Sequence, residues 1–134
     1  MANIIQILQS SDFTSIYIVG DLHGCYKLLI QELQNINFDF ENDLIICTGD
    51  LIDRGTENLE CISLLEESWF LSVRGNHEEM CIKVLFDHKI REIHARNGGE
   101  WFYQLSTKQQ LEIIELFKKL PLVIEVKLKT KKIG

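Results

Sequence analysis

The segment Leu44–Gly55, which reads LIICTGDLIDRG, decides the fold prediction. Its first four residues are an apolar run of strand length that is rich in β-branched side chains, so they predict a buried strand. Asp50, Asp53 and Arg54 follow at the point where this strand should open into a loop. Ligands of open α/β sheets collect at the carboxyl ends of strands. The segment therefore predicts a functional site directly after a strand.

The same arrangement of an apolar run and a glycine turn occurs twice more. Ile16–Val19 leads into Gly20–Gly24 (GDLHG), and Trp69–Val73 leads into Arg74–Glu78 (RGNHE). A glycine lets the backbone turn sharply and approach a ligand, since no Cβ stands in the way. In all three places the glycine precedes a residue whose side-chain oxygen can bind a metal, namely Asp21, Asp50 and Asn76. Three such turns in chain order predict one shared site.

Helical periodicity separates these predicted strands. We predict helices over Cys25–Asn35 and Asn58–Ser68 and a third helix after His77, which gives the order β-α-β-α-β-α. That order is typical of an α/β fold with parallel strands and right-handed crossovers. Farther along the chain, the predicted elements are a short helix over Trp101–Leu105, a helix from Thr107 that ends before Pro121, and a strand over Leu122–Leu128.

Length and composition indicate one domain. Residues 1–14 are expected to be a weakly ordered start or a short helix, and residues 15–134 to form the domain. We expect a cytoplasmic protein without a membrane partner, since no apolar run approaches the roughly 20 residues that span a bilayer and no signal peptide is evident. The net charge of −6 argues against a nucleic-acid partner. The four cysteines form no C-x-x-C pair and are expected to be buried apolar residues.

The three turns carry side chains that suit divalent metals. Asp21 and His23 are two residues apart, so in extended backbone they point the same way and can bind one ion. A carboxylate with an imidazole suits manganese, iron or zinc better than calcium. Asp50 has no second ligand beside it, which suits a carboxylate shared by two ions, and Asn76 offers a neutral oxygen to the second ion.

A pair of metals at this place predicts hydrolysis of a phosphate ester. Two ions polarise a phosphoryl group and activate a shared water, and no serine or cysteine stands in a nucleophile motif. His77 is expected to protonate the leaving alkoxide, a role typically worth about 10² to 10⁴ in rate, and Asp53 to orient its imidazole. Arg54 and Arg74 are expected to grip phosphate oxygens.

Each of these residues also has a structural interpretation. Taken singly, Asp21, Asp50 and Asn76 are more often helix caps or turn residues, and only their joint pattern favours a site. His88 and His94 are expected to be surface helix or loop histidines. The aromatic residues of the second half are expected to pack in the core or in a lid, among them Trp101, Phe102 and Tyr103.

The three motifs resemble a known family. GDLHG at Gly20–Gly24, GDLIDRG at Gly49–Gly55 and GNHE at Gly75–Glu78 are similar to the signature motifs of the phosphoprotein phosphatase branch of the calcineurin-like metallophosphoesterases. The likeness is closest to the bacteriophage lambda-type and bacterial serine/threonine protein phosphatases. It extends to the Asn97-Gly98-Gly99 and Leu120-Pro121-Leu122 segments.

The resemblance implies a fold, a reaction and a set of roles. The fold is a sandwich of two mixed sheets flanked by helices, and the substrates are phosphoserine and phosphothreonine in proteins or peptides. Two metal ions, usually Mn²⁺, are implied, one on Asp21, His23 and Asp50 and one on Asp50 and Asn76. His77 with Asp53 is implied as the acid, and Arg54 and Arg74 as phosphate ligands. A sister group hydrolyses diadenosine tetraphosphate; Asp53, Arg54 and Glu78 favour the protein phosphatases.

The family pattern also contains ligands that this sequence lacks. It continues beyond this sequence with a further strand, a histidine ligand, an arginine and a Gly-His-Thr motif, and nothing after Leu128 matches them. The chain is therefore expected to be the N-terminal part of the domain, with an incomplete second metal site. Three interpretations stay open: a protein phosphatase, a metal-binding remnant with little turnover, and a diadenosine tetraphosphate hydrolase.

Overall fold

The computed structural model describes residues 4–129, which form five strands and six α-helices. The strands are β1 (Ile5–Gln9), β2 (Ile16–Val19), β3 (Leu44–Cys47), β4 (Phe70–Ser72) and β5 (Val123–Lys127). The helices are α1 (Tyr26–Asn35), α2 (Asn58–Ser63), α3 (Asn76–Lys83), α4 (His88–His94), α5 (Glu100–Tyr103) and α6 (Thr107–Lys118). A π-helical turn, Ala95–Gly99, joins α4 to α5.

A three-stranded parallel sheet with the order β2-β3-β4 holds the predicted motifs. Ile16 lies opposite Leu44, and Ile45 lies opposite Phe70. The helices α1 and α2 connect these strands, as parallel pairing requires, so the predicted β-α-β-α-β-α order is confirmed. All four residues of β3 are buried, which is the usual environment of a central parallel strand.

A second, two-stranded sheet pairs β1 with β5 in parallel. The prediction of a weakly ordered start or short helix was wrong for this stretch, because Ile5–Gln9 is a strand that pairs with Val123–Lys127. The local signal was an imperfect alternation of apolar residues with glutamine, and the pairing partner lies at the far end of the described chain. The two sheets contain only parallel pairs among residues 4–129, so the mixed pairing that the resemblance implies is not found there.

The core gathers side chains from β3, β4 and the helices. Its largest fully buried aromatic residues are Phe70, Phe102 and Phe117. The prediction of buried cysteines holds for three of the four; Cys25, directly before α1, is exposed. Burial raises the pKa of Cys47 to about 11, so this thiol is an apolar packing group at neutral pH.

Between residues 4 and 129 the structure contains no helix with the length and apolarity that crossing a membrane requires.

Candidate metal and catalytic site

Three turns meet at the carboxyl end of the three-stranded sheet, each directly after one of its strands. The first two are joined by backbone hydrogen bonds. The N–H groups of Leu22 and His23 donate to the carbonyl of Asp50 at 3.1 and 3.0 Å. The N–H of Gly24 donates to the carbonyl of Leu51 at 2.9 Å. The position of the first turn is therefore fixed by the backbone of the second.

Asp21, His23 and Asp50 form a group that fits a divalent cation. One ligand atom from each lies within 4.8 Å of the others. The Nδ1 of His23 lies 2.9 Å from the carbonyl oxygen of Ile52, so this nitrogen carries the proton and Nε2 keeps its lone pair for a metal. That Nε2 lies 3.4 Å from Asp21 Oδ2. Within residues 4–129, neither carboxylate is paired with a lysine or arginine, so a cation would supply the missing positive charge.

The third turn reaches the same group through the start of α3. Asn76 is the first residue of this helix, and the N–H of His77 donates to Asp50 Oδ1 at 3.0 Å. Gly75 has to be glycine here, because a Cβ would lie 2.4 Å from Asp50 N and 2.5 Å from its Oδ1. The fold thus places Asn76 beside the residue that binds the Asp50 carboxylate.

Glu78 ties the second and third turns together. Its side chain is fully buried, and its two oxygens accept the N–H groups of Asp50 at 2.7 Å, Leu51 at 3.1 Å and Gly75 at 3.0 Å. Burial raises the pKa of Glu78 to about 7, against the opposing effect of these donors. The sequence marked Glu78 only as a family feature, whereas the structure shows that it anchors the Asp50 backbone.

His77 and Asp53 form the predicted pair. The Nδ1 of His77 lies 2.7 Å from Asp53 Oδ2, and the Asp53 carboxyl is fully buried. Trp101 Nε1 donates to the other oxygen, Oδ1, at 2.8 Å. Burial alone would raise the pKa of Asp53, but its bonds with His94, His77 and Trp101 outweigh burial and hold it below the usual range. Asp53 is therefore an ionised acceptor.

His94 is a residue of this site that the sequence analysis missed. The prediction of a surface histidine was wrong, because the imidazole is fully buried, with Nε2 at 2.7 Å from Asp53 Oδ2 and Nδ1 at 2.8 Å from the Tyr103 hydroxyl. The ring packs against Gly99, where a Cβ would lie 2.3 Å from it. The sequence feature that could have indicated this buried position is the glycine pair Gly98-Gly99, which follows the histidine closely. His88, at the start of the same helix, is exposed as predicted.

Backbone strain is concentrated in the predicted site. Among the described residues, five that are not glycine have a positive φ, and four of them are predicted site residues. These four are His23 (φ 42°), Asp50 (φ 56°), Asp53 (φ 76°) and Arg54 (φ 72°). Such conformations cost on the order of 1–3 kcal/mol each and persist only where the surroundings enforce them. The strain therefore indicates that surrounding contacts hold these four side chains in fixed positions.

Arg54 is held at the backbone while its side chain is exposed. Its N–H donates to the carbonyl of Gly98 at 3.2 Å, and a Cβ on Gly98 would lie 2.5 Å from that nitrogen. The guanidinium makes no hydrogen bond or ion pair with residues 4–129. Arg54 is therefore available for an anion next to Asp53.

Arg74 has other partners. Its guanidinium donates to the carbonyls of Phe117 at 3.2 Å and Lys118 at 2.9 Å and pairs with Glu79 at 3.1 Å. The last carbonyls of a helix lack partners within it and carry partial negative charge, so an arginine binds well there. These partners occupy the guanidinium, so the structure does not add support to the expectation that Arg74 grips phosphate, which stays a prediction. The predicted residues that it does bring together are Asp21, His23, Asp50, Asp53 and His77.

This chain is similar to known proteins in both sequence and fold. The sequence profile of the family described as calcineurin-like phosphoesterase matches residues 14–132. Serine/threonine-protein phosphatase 2 of Salmonella typhimurium strain LT2 is 44% identical over 93% of this chain and 58% of the relative. The protein of the same description from Escherichia coli strain K12 is 40% identical over 90% of this chain and 56% of the relative. The chain thus spans less than two thirds of these relatives.

Other relatives act on nucleotides by their description. A symmetrical bis(5'-nucleosyl)-tetraphosphatase of Proteus mirabilis is 42% identical, over 46% of this chain and 23% of the relative. Among solved structures, one described as a putative diadenosine tetraphosphatase superposes with a TM-score of 0.68 at 25% identity, covering 94% of this chain and 50% of that chain. A yeast serine/threonine phosphatase superposes with the same TM-score at 22% identity, covering 94% and 40%. Both superpositions show the same fold.

Proposed function

The chain belongs to the calcineurin-like phosphoesterases, and we propose that it acts as a metal-dependent protein serine/threonine phosphatase. One observation carries the proposal. Asp50 shares a cluster with Asp21 and His23, and its Oδ1 also accepts the N–H of His77, whose imidazole is bound to Asp53. A cation site and a candidate acid are thus joined at one carboxylate.

Asp21, His23 and Asp50 would hold one ion, and Asp50 with Asn76 would contribute to a second. Divalent ions bound here would stabilise charge on a phosphoryl group and activate a water for attack on phosphorus. The donor set of carboxylates and an imidazole fits Mn²⁺, as in the resemblance, and also iron or zinc. Asp50 is the carboxylate that both ions would share, so it matters most for binding.

His77 would act as the general acid. Its Nδ1–H is bound to Asp53 at 2.7 Å, which leaves Nε2 to carry a proton to the leaving alkoxide. The ionised Asp53 fixes the tautomer and the ring orientation. The His77 ring also lies edge-on to the His23 ring, with 4.8 Å between centroids, so the acid stands beside a proposed metal ligand.

Arg54 would bind the phosphate oxygens. Its exposed guanidinium follows Asp53 directly, and its backbone is fixed by Gly98. An arginine can donate two parallel hydrogen bonds to a phosphate, which would orient the ester for attack.

The protein-phosphatase assignment is favoured over nucleotide hydrolysis by the extent of similarity. The phosphatase relatives are 44% and 40% identical over 93% and 90% of this chain, whereas the tetraphosphatase relatives are 42% identical over 46% of it or 31% identical over 81% of it. The tetraphosphatase similarity makes diadenosine tetraphosphate hydrolysis the second candidate.

Metal binding tests the shared carboxylate. Calorimetric titration of the metal-free chain with Mn²⁺ should show binding, and Asp50→Asn should weaken the Mn²⁺ affinity at least about 100-fold. This loss exceeds the roughly 10- to 100-fold loss of affinity that is typical when a residue that only supports a metal ligand is substituted. His77→Ala should bind Mn²⁺ nearly normally, because residue 77 contacts Asp50 through its backbone N–H. Glu125→Gln, on the exposed face of β5, removes the same charge and serves as the control. Equal losses in His77→Ala and Asp50→Asn would contradict the assigned roles.

A side-by-side assay tests the substrate. With Mn²⁺ present, the chain should hydrolyse phosphoserine peptides faster than diadenosine tetraphosphate, and Arg54→Ala should reduce the rate for the peptide. A clear preference for the dinucleotide would replace the first candidate function by the second.

A further inference from the structure

The proposed acid pair is part of a longer hydrogen-bonded chain inside the protein. Asp53 Oδ2 accepts from the imidazoles of both His77 and His94, each at 2.7 Å, and Oδ1 accepts from the indole of Trp101 at 2.8 Å. The carboxyl is fully buried, so water does not replace any of these donors. The carboxylate therefore has three side-chain donors, and only one of them belongs to the proposed acid.

Three donors fix the carboxylate more tightly than one would. With His77 alone, the Asp53 carboxylate could turn about its Cβ–Cγ bond and carry the imidazole with it. Trp101 and His94 approach different oxygens and together define the carboxylate plane. The direction of the His77 ring is then set by residues that lie behind Asp53.

His94 is itself held in one orientation. Its Nδ1 lies 2.8 Å from the Tyr103 hydroxyl. Burial raises the pKa of Tyr103, so the hydroxyl stays protonated and donates a hydrogen bond to Nδ1. Nδ1 then accepts, and Nε2–H is the donor to Asp53. Gly99 leaves the space that the ring occupies, because a Cβ there would lie 2.3 Å from the imidazole. Position 99 is thus shaped to admit this histidine.

We propose that His94, held by Tyr103, is a positioning residue for the acid His77, which it orients through the Asp53 carboxylate. The catalytic part of this inference rests on the proposed function, whereas the hydrogen-bonded chain does not. Positioning of an acid matters most when the leaving group is a poor one. An alkoxide must be protonated as it leaves, but 4-nitrophenolate leaves readily without a proton. Loss of His94 should therefore slow hydrolysis of an alkyl phosphate more than that of an aryl phosphate.

The hydrogen-bonded chain can be tested without metal or turnover. Proton NMR of the chain with ¹⁵N-labelled histidine should show slowly exchanging imidazole N–H signals downfield of the amides from His77 and His94, separate from the signal of His23, whose Nδ1–H donates to the Ile52 carbonyl. His94→Gln should remove one signal and keep the other in place, since the glutamine amide can donate to Asp53. His94→Leu should also shift or broaden the His77 signal, and Tyr103→Phe should broaden the His94 signal. His88→Gln, the same substitution at the exposed start of α4, should leave both signals unchanged.

An unchanged His77 signal in His94→Leu would overturn the proposal. If His94→Leu does not fold, Tyr103→Phe and His94→Gln test the proposal instead. Tyr103→Phe keeps the aromatic ring, and His94→Gln keeps a hydrogen-bond donor to Asp53. Wild-type signals in both would show that His94 does not donate to Asp53 and would overturn it as well.

Turnover supplies the second test. His94→Leu should lower kcat for a phosphoserine peptide about 10- to 100-fold with little change in KM, and should lower kcat for 4-nitrophenyl phosphate much less. His94→Gln should restore most of the lost peptide activity. An equal decrease for both substrates would indicate a merely structural role. A wild-type chain that hydrolyses neither ester would refute the proposed function, and the NMR experiment would still decide whether the network exists.

Discussion

The two sheets of this protein are both parallel and rich in isoleucine, yet they differ in how they are covered. Every residue of β3 is buried, whereas β1 and β5 alternate between partly buried and exposed positions. Ile45 in β3 is 1% exposed, while Ile7 in β1 is 53% exposed. Because isolated two-stranded sheets are marginal in water, stability and site geometry should both depend on the three-stranded sheet.

The matched pair Ile45→Ala and Ile7→Ala measures this difference most directly. Removing the buried side chain of Ile45 should cost about 2–5 kcal/mol in the free energy of unfolding, through lost burial and the cavity that remains. Removing the exposed side chain of Ile7 should cost no more than about 0.5 kcal/mol. Urea unfolding followed by circular dichroism gives both values. Similar losses at the two positions would mean that the sheets contribute equally.

A smaller loss in the free energy of unfolding is expected when Glu78, which links the second and third turns of the site, is substituted. Glu78→Gln places an amide group where one carboxylate oxygen accepts an N–H, so Leu51 or its neighbours lose an acceptor inside the protein. We expect about 1–3 kcal/mol of destabilisation, together with weaker Mn²⁺ binding because Asp50 is less firmly held. Glu112→Gln, on the exposed side of α6, is the charge-matched control. Unchanged stability and metal affinity would show that the turns hold their shape without Glu78.

The pH dependence of stability gives the mildest test. The folded-state pKa of Glu78 is raised to about 7, above the unfolded value near 4.3, so the folded protein binds a proton that the unfolded chain has released. This contribution is fully present below the unfolded pKa and is lost as the pH rises through about 7. The metal-free wild type should therefore lose up to about 1 kcal/mol of stability per pH unit between pH 5 and 7. Urea unfolding of Glu78→Gln should lack this part of the slope.

The three-stranded sheet and its turns could be predicted because their signals are local. A strand-length apolar run, a glycine and a polar residue are adjacent in sequence, and the three repetitions indicated the fold class and most residues of the candidate site. Each error concerned a residue whose partner is distant in sequence. Strand β1 depends on β5, and His94 depends on Asp53. No local pattern contains that information.

The glycines after α4 are a second case in which the sequence did not reveal distant contacts. The sequence identified Asn97-Gly98-Gly99 only as a segment that resembles the family. In the structure Gly98 fixes the Arg54 backbone and Gly99 admits the His94 ring. A glycine pair signals a turn, but which groups approach it depends on the folded chain.

The pairing of β1 with β5 also sets an order of events during synthesis. A ribosome adds about 5–20 residues per second, so β1 emerges on the order of ten seconds before its partner strand. Strands β2, β3 and β4 and their connecting helices are complete well before then and can form their sheet first. Throughout that interval Ile5 and Ile7 have no partner strand to pair with. The backbone groups of β1 therefore stay without their partner strand, and open to pairing with another chain, until β5 has been synthesised.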